Sequence, residues 1–318
     1  MPAAPPFAAS PDPAYGLMRD WMTRWSDLES DLAQLLLQPH ASPDFLAQLE
    51  RLQTQADALL ALDPDATLYW LFQLAANTSI GYSSSHSLVC WAICSLVGPA
   101  LDFSPAQQDS IKRAALTMNL AMTQLQNSLA EQTEPPSSEQ RAAIETHAAR
   151  SAQWLRELGV SDPAWLHTVE QHHESSSGTD VATRLLQAVD RYAALISPRQ
   201  TRAGRCVTDS GRYAVLTQGA GVDDLGHALL RTLGICPPGS FVRLQDDSVA
   251  VVLRRSGRPS EPWVAPVLDA QGMAVPEPSL LDTSQDGHGI AAALVTQTVR
   301  VRLNHARLLQ LSRMALAR

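Results

Sequence analysis

Between His86 and Val97 the chain reads HSLVCWAICSLV, which is apolar on nearly every side when wound as a helix. A helix without a polar face belongs in the middle of a helical assembly, so this stretch predicts a central core helix with others packed around it. Composition points the same way. Leu and Ala supply most of the apolar residues while aromatic residues make up only 5%, which favours packed helices over a β-rich architecture. At 318 residues the chain can build one large domain with a small one, or two of moderate size.

Residues 1–13, MPAAPPFAASPDP, are Pro- and Ala-rich and read as a disordered N-terminus. Residues 14–67 form an N-terminal helical region. Leu28, Leu32, Leu35 and Leu36 recur at helical spacing, and Ser42-Pro43-Asp44 opens a second helix, so the two read as a helical hairpin. Residues 68–235 carry the helical core, with a helix predicted across residues 104–132 and another from 141 to 159. From 236 to 283 the pattern alternates, is rich in Val, and is punctuated by Pro and Gly, which predicts a small antiparallel β unit of two or three strands. Residues 284–318 read as a C-terminal helix, drawn over 293–317. The fold class is therefore mainly α, a helical bundle with an N-terminal hairpin and a small C-terminal antiparallel β unit.

The net charge of −8 has no run of like sign, so duplex nucleic acid is not an expected partner. Cys90 and Cys94 lie one helical turn apart, far from Cys206 and Cys236, and no CxxC pair exists. The first two read as small buried apolar side chains in a reducing compartment. With neither a signal segment nor an apolar run of about 20 residues, the expectation is a cytoplasmic chain without membrane attachment.

The histidines carry the chemical interest. His86 lies in the core helix, His147 inside a helix, His172 and His173 at a helix end, and Asp190 in the middle of the next helix. Helical bundles build metal sites from inward side chains on different helices, and imidazole with a carboxylate suits Fe, Mn or Zn. Each residue also has a plainer reading: His147 bonding across helices, the His pair as a polar helix end, Asp190 pairing with Arg191 or Arg199. His40, His167, His227, His288 and His305 read as satisfied polar residues at helix surfaces.

From about Leu68 to Leu281 the order of these elements resembles the HD-GYP branch of the HD phosphohydrolase superfamily. The resemblance rests on YSSSHSLVCWAICSLVG with His86, AALTMNLAM at 114–122, IETH with His147, then His172-His173-Glu174. It continues through DRYAALISPRQTR with Asp190 to PPGSFVRLQDDSVAVVL in the β unit. It implies an HD-like helical fold, a bacterial signalling role, and cyclic di-GMP hydrolysis at clustered metal ions. Arg199 and Arg202 would then lie near the nucleotide phosphates, where a guanidinium matches phosphate oxygens.

The departures from that family imply lost activity. Met118-Asn119 stand where it has His-Asp, Met122 replaces its lysine, Tyr82 its metal-binding glutamate, and Ala193 a second acidic position. The GYP loop is shortened to SSSGTD. A two-metal centre produces hydroxide by lowering the pKa of water from ~15.7 toward ~7. Without the bridging carboxylate, two adjacent cations have too little negative charge between them. The expectation is a degenerate, inactive protein acting as a signalling regulator or scaffold, with a protein partner and a homodimer in view. No cofactor, or a single Fe, Mn or Zn ion on His147, His172, His173 and Asp190 with His86 nearby, goes with it. A reduced-site metal-dependent phosphohydrolase and a non-hydrolysing cyclic di-GMP receptor stand as alternatives.

Overall fold

The computed structural model describes residues 13–76, 81–174, 179–197, 208–209 and 224–317. Arg199, Arg202, Cys206 and all but Pro13 of the N-terminal segment read as disordered lie outside these residues. Helices α1 (Pro13–Leu37) and α2 (Phe45–Leu62) form the expected hairpin. The buried stripe of α1 is Met18, Trp21, Trp25, Leu28, Leu32, Leu35 and Leu36, and α2 answers with Phe45, Leu49, Leu52, Ala56 and Leu59, the three- and four-residue spacing of one helical face. The α2 N-cap is Asp44, but its side chain makes no capping bond.

Helix α3 (Pro64–Ala75) starts at Asp63, whose side chain accepts the Ala66 amide at 3.1 Å, with Pro64 at the first position where no amide hydrogen is needed. Helix α4 (Tyr82–Val97) is the predicted centre: every residue except Leu96 is buried. Together with the turn to Leu101 it is long and apolar enough to cross a membrane, yet 78% of that window is buried inside the protein. Packing against α1, α3, α5, α6 and α9 accounts for its composition.

A single helix over 104–132 is corrected. Helix α5 (Pro105–Thr117) is closed at its start by a Ser104–Gln107 capping box, then the chain breaks at Met118-Asn119 into a short 3₁₀ turn before α6 (Thr123–Glu131). The break leaves the Ala121 amide to the Ser151 hydroxyl of the next helix at 3.0 Å, so a tertiary hydrogen bond replaces a helical one. Helices α7 (Ser138–Glu157), α8 (Pro163–Gln171) and α9 (Val181–Ile196) follow, each with a Ser or Asp cap. Helix α10 (Asp224–Leu233) leads into the sheet.

Among the described residues the β unit has five antiparallel strands instead of two or three: β1 (Phe241–Leu244), β2 (Val249–Arg254), β3 (Trp263–Leu268), β4 (Leu281–Asp282) and β5 (Ile290–Leu294), in the order β4-β3-β2-β1-β5. The C-terminal helix over 293–317 is also corrected. Ala293 and Leu294 pair with Val242 and Phe241 of β1, and α11 covers only His305–Met314, where the Asn304 side chain accepts the Arg307 amide. β5 is an edge strand whose partner is about fifty residues away in sequence, a distance over which local periodicity carries no signal. α11 packs on both α1 and β2, so hairpin, bundle and sheet share one contiguous core.

Candidate metal centre

α7 carries His147 into the interior, and the turn that follows α8 presents His172 and His173. His147 and His172 are buried and His173 is exposed. Their rings lie 4.1–5.1 Å apart, centroid to centroid, and one donor atom from each falls within 4.8 Å of the others. The three imidazoles therefore converge, although one comes from α7 and two from the turn after α8.

Tautomers make this convergence informative. The Nδ1 of His147 is 2.5 Å from the Ile144 carbonyl, and the Nδ1 of His172 is 2.6 Å from the Val169 carbonyl. A carbonyl only accepts, so both Nδ1 atoms carry a hydrogen and both Nε2 atoms are bare acceptors in the neutral rings. Those two Nε2 atoms face each other at 3.2 Å. Burial, reinforced by the neighbouring His173, pushes the pKa of His172 down to about 3; burial likewise lowers that of His147. Two neutral rings with opposed lone pairs repel unless an electrophile lies between them. Two imidazoles on one tetrahedral zinc, at Zn–N of about 2.0–2.1 Å, are spaced about 3.3 Å apart. Backbone carbonyls holding the far nitrogens are the usual means of fixing metal-ligand tautomers. The donor set fits a divalent cation.

Asp190 on α9 belongs to a second group. Its Oδ1 lies 2.9 Å from the Nε2 of His86, whose other nitrogen is buried without a hydrogen-bond partner among the described residues. Burial opposes ionisation of Asp190, but the hydrogen bond from His86 outweighs it and holds the carboxyl below the usual range. Asp190 thus pairs with His86. The expected four-ligand set divides accordingly: the three imidazoles stand together, and Asp190 stands with His86 and Cys90.

Cys90 is the residue that sequence reasoning missed. It is fully buried, as expected of a small apolar side chain, yet its Sγ lies 3.7 Å from the Nε2 of His86. The signal was its position four residues after His86, which puts both on one helical face.

The positions flagged as lost ligands are closed to solvent. Tyr82 is buried and stacks on His86, with ring centroids 5.9 Å apart. Met118, Asn119 and Met122 are buried at the break after α5, and Ala193 is buried on α9. Among the other histidines, His305 departs from expectation: half-buried, it bonds to the Tyr69 hydroxyl at 2.9 Å and abuts Trp70. His40 and His167 lie near Glu157 and Asp180 at the surface.

No family model matches the sequence, and no curated protein matches it. Among solved structures it is similar to Bd1817, a HDG"Y"P protein from Bdellovibrio bacteriovorus, with a TM-score of 0.49 and 12% identity over 70% of this chain and 73% of that one. A superposition this loose assigns no residue a role.

Proposed function

We propose that this protein is a degenerate HD-GYP-like signalling regulator that holds one divalent cation on His147, His172 and His173 and does not hydrolyse cyclic di-GMP. The observation that carries the metal reading is the opposed Nε2 pair at 3.2 Å with both Nδ1 atoms committed to carbonyls. Three imidazoles suit Zn, and also Fe or Mn. When bound, such a cation supplies a cross-link between α7 and the end of α8 and a Lewis-acidic position toward the exposed His173 side.

Loss of hydrolysis rests on ligand chemistry. Asn119 offers a neutral amide where a bridging carboxylate is needed, and Asp190 lies against His86 in the fold's centre. A carboxylate-bridged pair of cations of the hydrolytic kind therefore lacks its bridge. The regulatory role follows from retention of a packed scaffold without that centre, with a signalling protein as partner.

Two measurements test this on protein purified without an affinity tag. Metal analysis is expected to find a cation that disappears in His172→Ala, and failure to find one removes the metal reading. Incubation with cyclic di-GMP and linear pGpG across Mn, Fe and Mg is expected to give no product. Turnover comparable with an active HD-GYP enzyme run alongside removes the regulator reading.

A further inference from the structure

We infer a second cation site, on His86, Cys90 and Asp190, in which a thiolate supplies the negative charge that this chain lacks at position 119. None of its ligands belongs to the imidazole cluster, so it stands or falls separately from the cation proposed there.

The three donors already lie within 4.8 Å of one another in the centre of the fold. His86 and Cys90 are held one turn apart on α4, and α9 brings Asp190 against them. A tetrahedral zinc with Zn–S of about 2.3 Å and Zn–N of about 2.0–2.1 Å spaces sulfur and nitrogen about 3.5 Å apart, close to the 3.7 Å between Cys90 Sγ and His86 Nε2. Nitrogen and carboxylate oxygen on the same ion need about 3.3 Å. Their present 2.9 Å hydrogen bond would open slightly as the ion enters.

Charge selects the ion. One thiolate and one carboxylate cancel a divalent cation, so the loaded cluster is neutral where net charge is costly, and it adds no repulsion toward a cation on the neighbouring imidazoles. Sulfur selects zinc over magnesium or manganese. On binding, the Cys90 thiol proton leaves to solvent and the sulfur–metal bond forms. The His86 proton moves from Nε2 to Nδ1, which leaves Nε2 as the ligand. No oxidant or reductant is involved.

Cobalt(II) is the probe. Full-length protein stripped with chelator and reloaded with cobalt is expected to show near-ultraviolet thiolate-to-cobalt charge transfer, retained in His147→Ala and lost in Cys90→Ser. Zinc loading is expected to fall by one equivalent in Cys90→Ser while the equivalent sensitive to His172→Ala remains. An unchanged spectrum and stoichiometry in Cys90→Ser would overturn the site. Should that variant fail to fold, X-ray absorption of zinc-loaded wild-type protein decides. A sulfur neighbour at about 2.3 Å supports the site, and a shell of nitrogen and oxygen alone rejects it.

Discussion

His86 of α4 and Asp190 of α9 share a 2.9 Å hydrogen bond that fastens the innermost helix to a neighbour in the bundle. Asp190 is 13% exposed and His86 1%, so removing the carboxylate strands a buried imidazole whose other nitrogen already has no partner among the described residues. Asp190→Ala is expected to lower the unfolding free energy by about 3 kcal/mol, as for a broken buried pair. Asp190→Asn keeps an acceptor and is expected to cost about 1 kcal/mol. Urea unfolding of both variants checks the order, and equal losses would show that the hydrogen bond is not what matters.

His172 makes stability fall with acid. Its pKa is lowered in the folded chain to about 3 from 6.5, by burial first and by His173 second. A histidine held neutral stabilises fully above its unfolded pKa and loses that contribution as the unfolded chain takes up a proton. From pH 6.5 to 5, one proton's difference costs about 2 kcal/mol, and His147, lowered for the same reason, adds in the same direction. Chelator-treated protein should show this in its urea midpoint, with a shallower slope in His172→Gln. A flat wild-type profile would contradict the buried neutral ring.

Glu29 behaves in the opposite sense. Burial raises its pKa to about 7, against a smaller lowering by a hydrogen bond from Ser84 of α4. A carboxyl with a raised folded pKa contributes stability below its unfolded pKa near 4.5, and that contribution declines as pH rises through about 7. Glu29→Gln removes the charge and is expected to stabilise the protein at pH 8 by roughly 1–3 kcal/mol while doing little at pH 4.5. Thermal melts at the two pH values read the difference.

Arg254 at the end of β2 reaches Asp63, the cap of α3, at 2.6 and 2.7 Å, Asp65 at 3.0 Å, and the Ser312 carbonyl of α11 at 3.0 Å. Arg255 adds a 2.5 Å contact to Asp65. One guanidinium thereby joins sheet, bundle and C-terminal helix, and its loss leaves two buried carboxylates underpaired. Arg254→Ala is expected to cost about 3–5 kcal/mol in urea unfolding. A loss under about 1 kcal/mol, typical of a surface pair, would mean that water replaces it readily.

The helical faces are legible in the sequence because period and capping are local. Leu28, Leu32 and Leu35 share a side of α1 through the turn of the helix alone, and the Ser104 and Ser137 caps mark helix starts from within four residues. The break at Met118-Asn119 is not legible there, since the hydrogen bond that permits it comes from Ser151. Nor is β5, which is a strand because β1 lies beside it.

The same division runs through the site. Sequence alone determined the fold class, the central place of α4, and the candidates His86, His147, His172, His173 and Asp190, since residue type and helical position are local properties. Tertiary packing decided how they group: Asp190 with His86 and Cys90, and the three remaining imidazoles with one another. It also decided that two bare nitrogens face each other at 3.2 Å. Ring orientation depends on which carbonyl and which neighbouring helix each imidazole meets, and those contacts exist only once the chain has closed on itself.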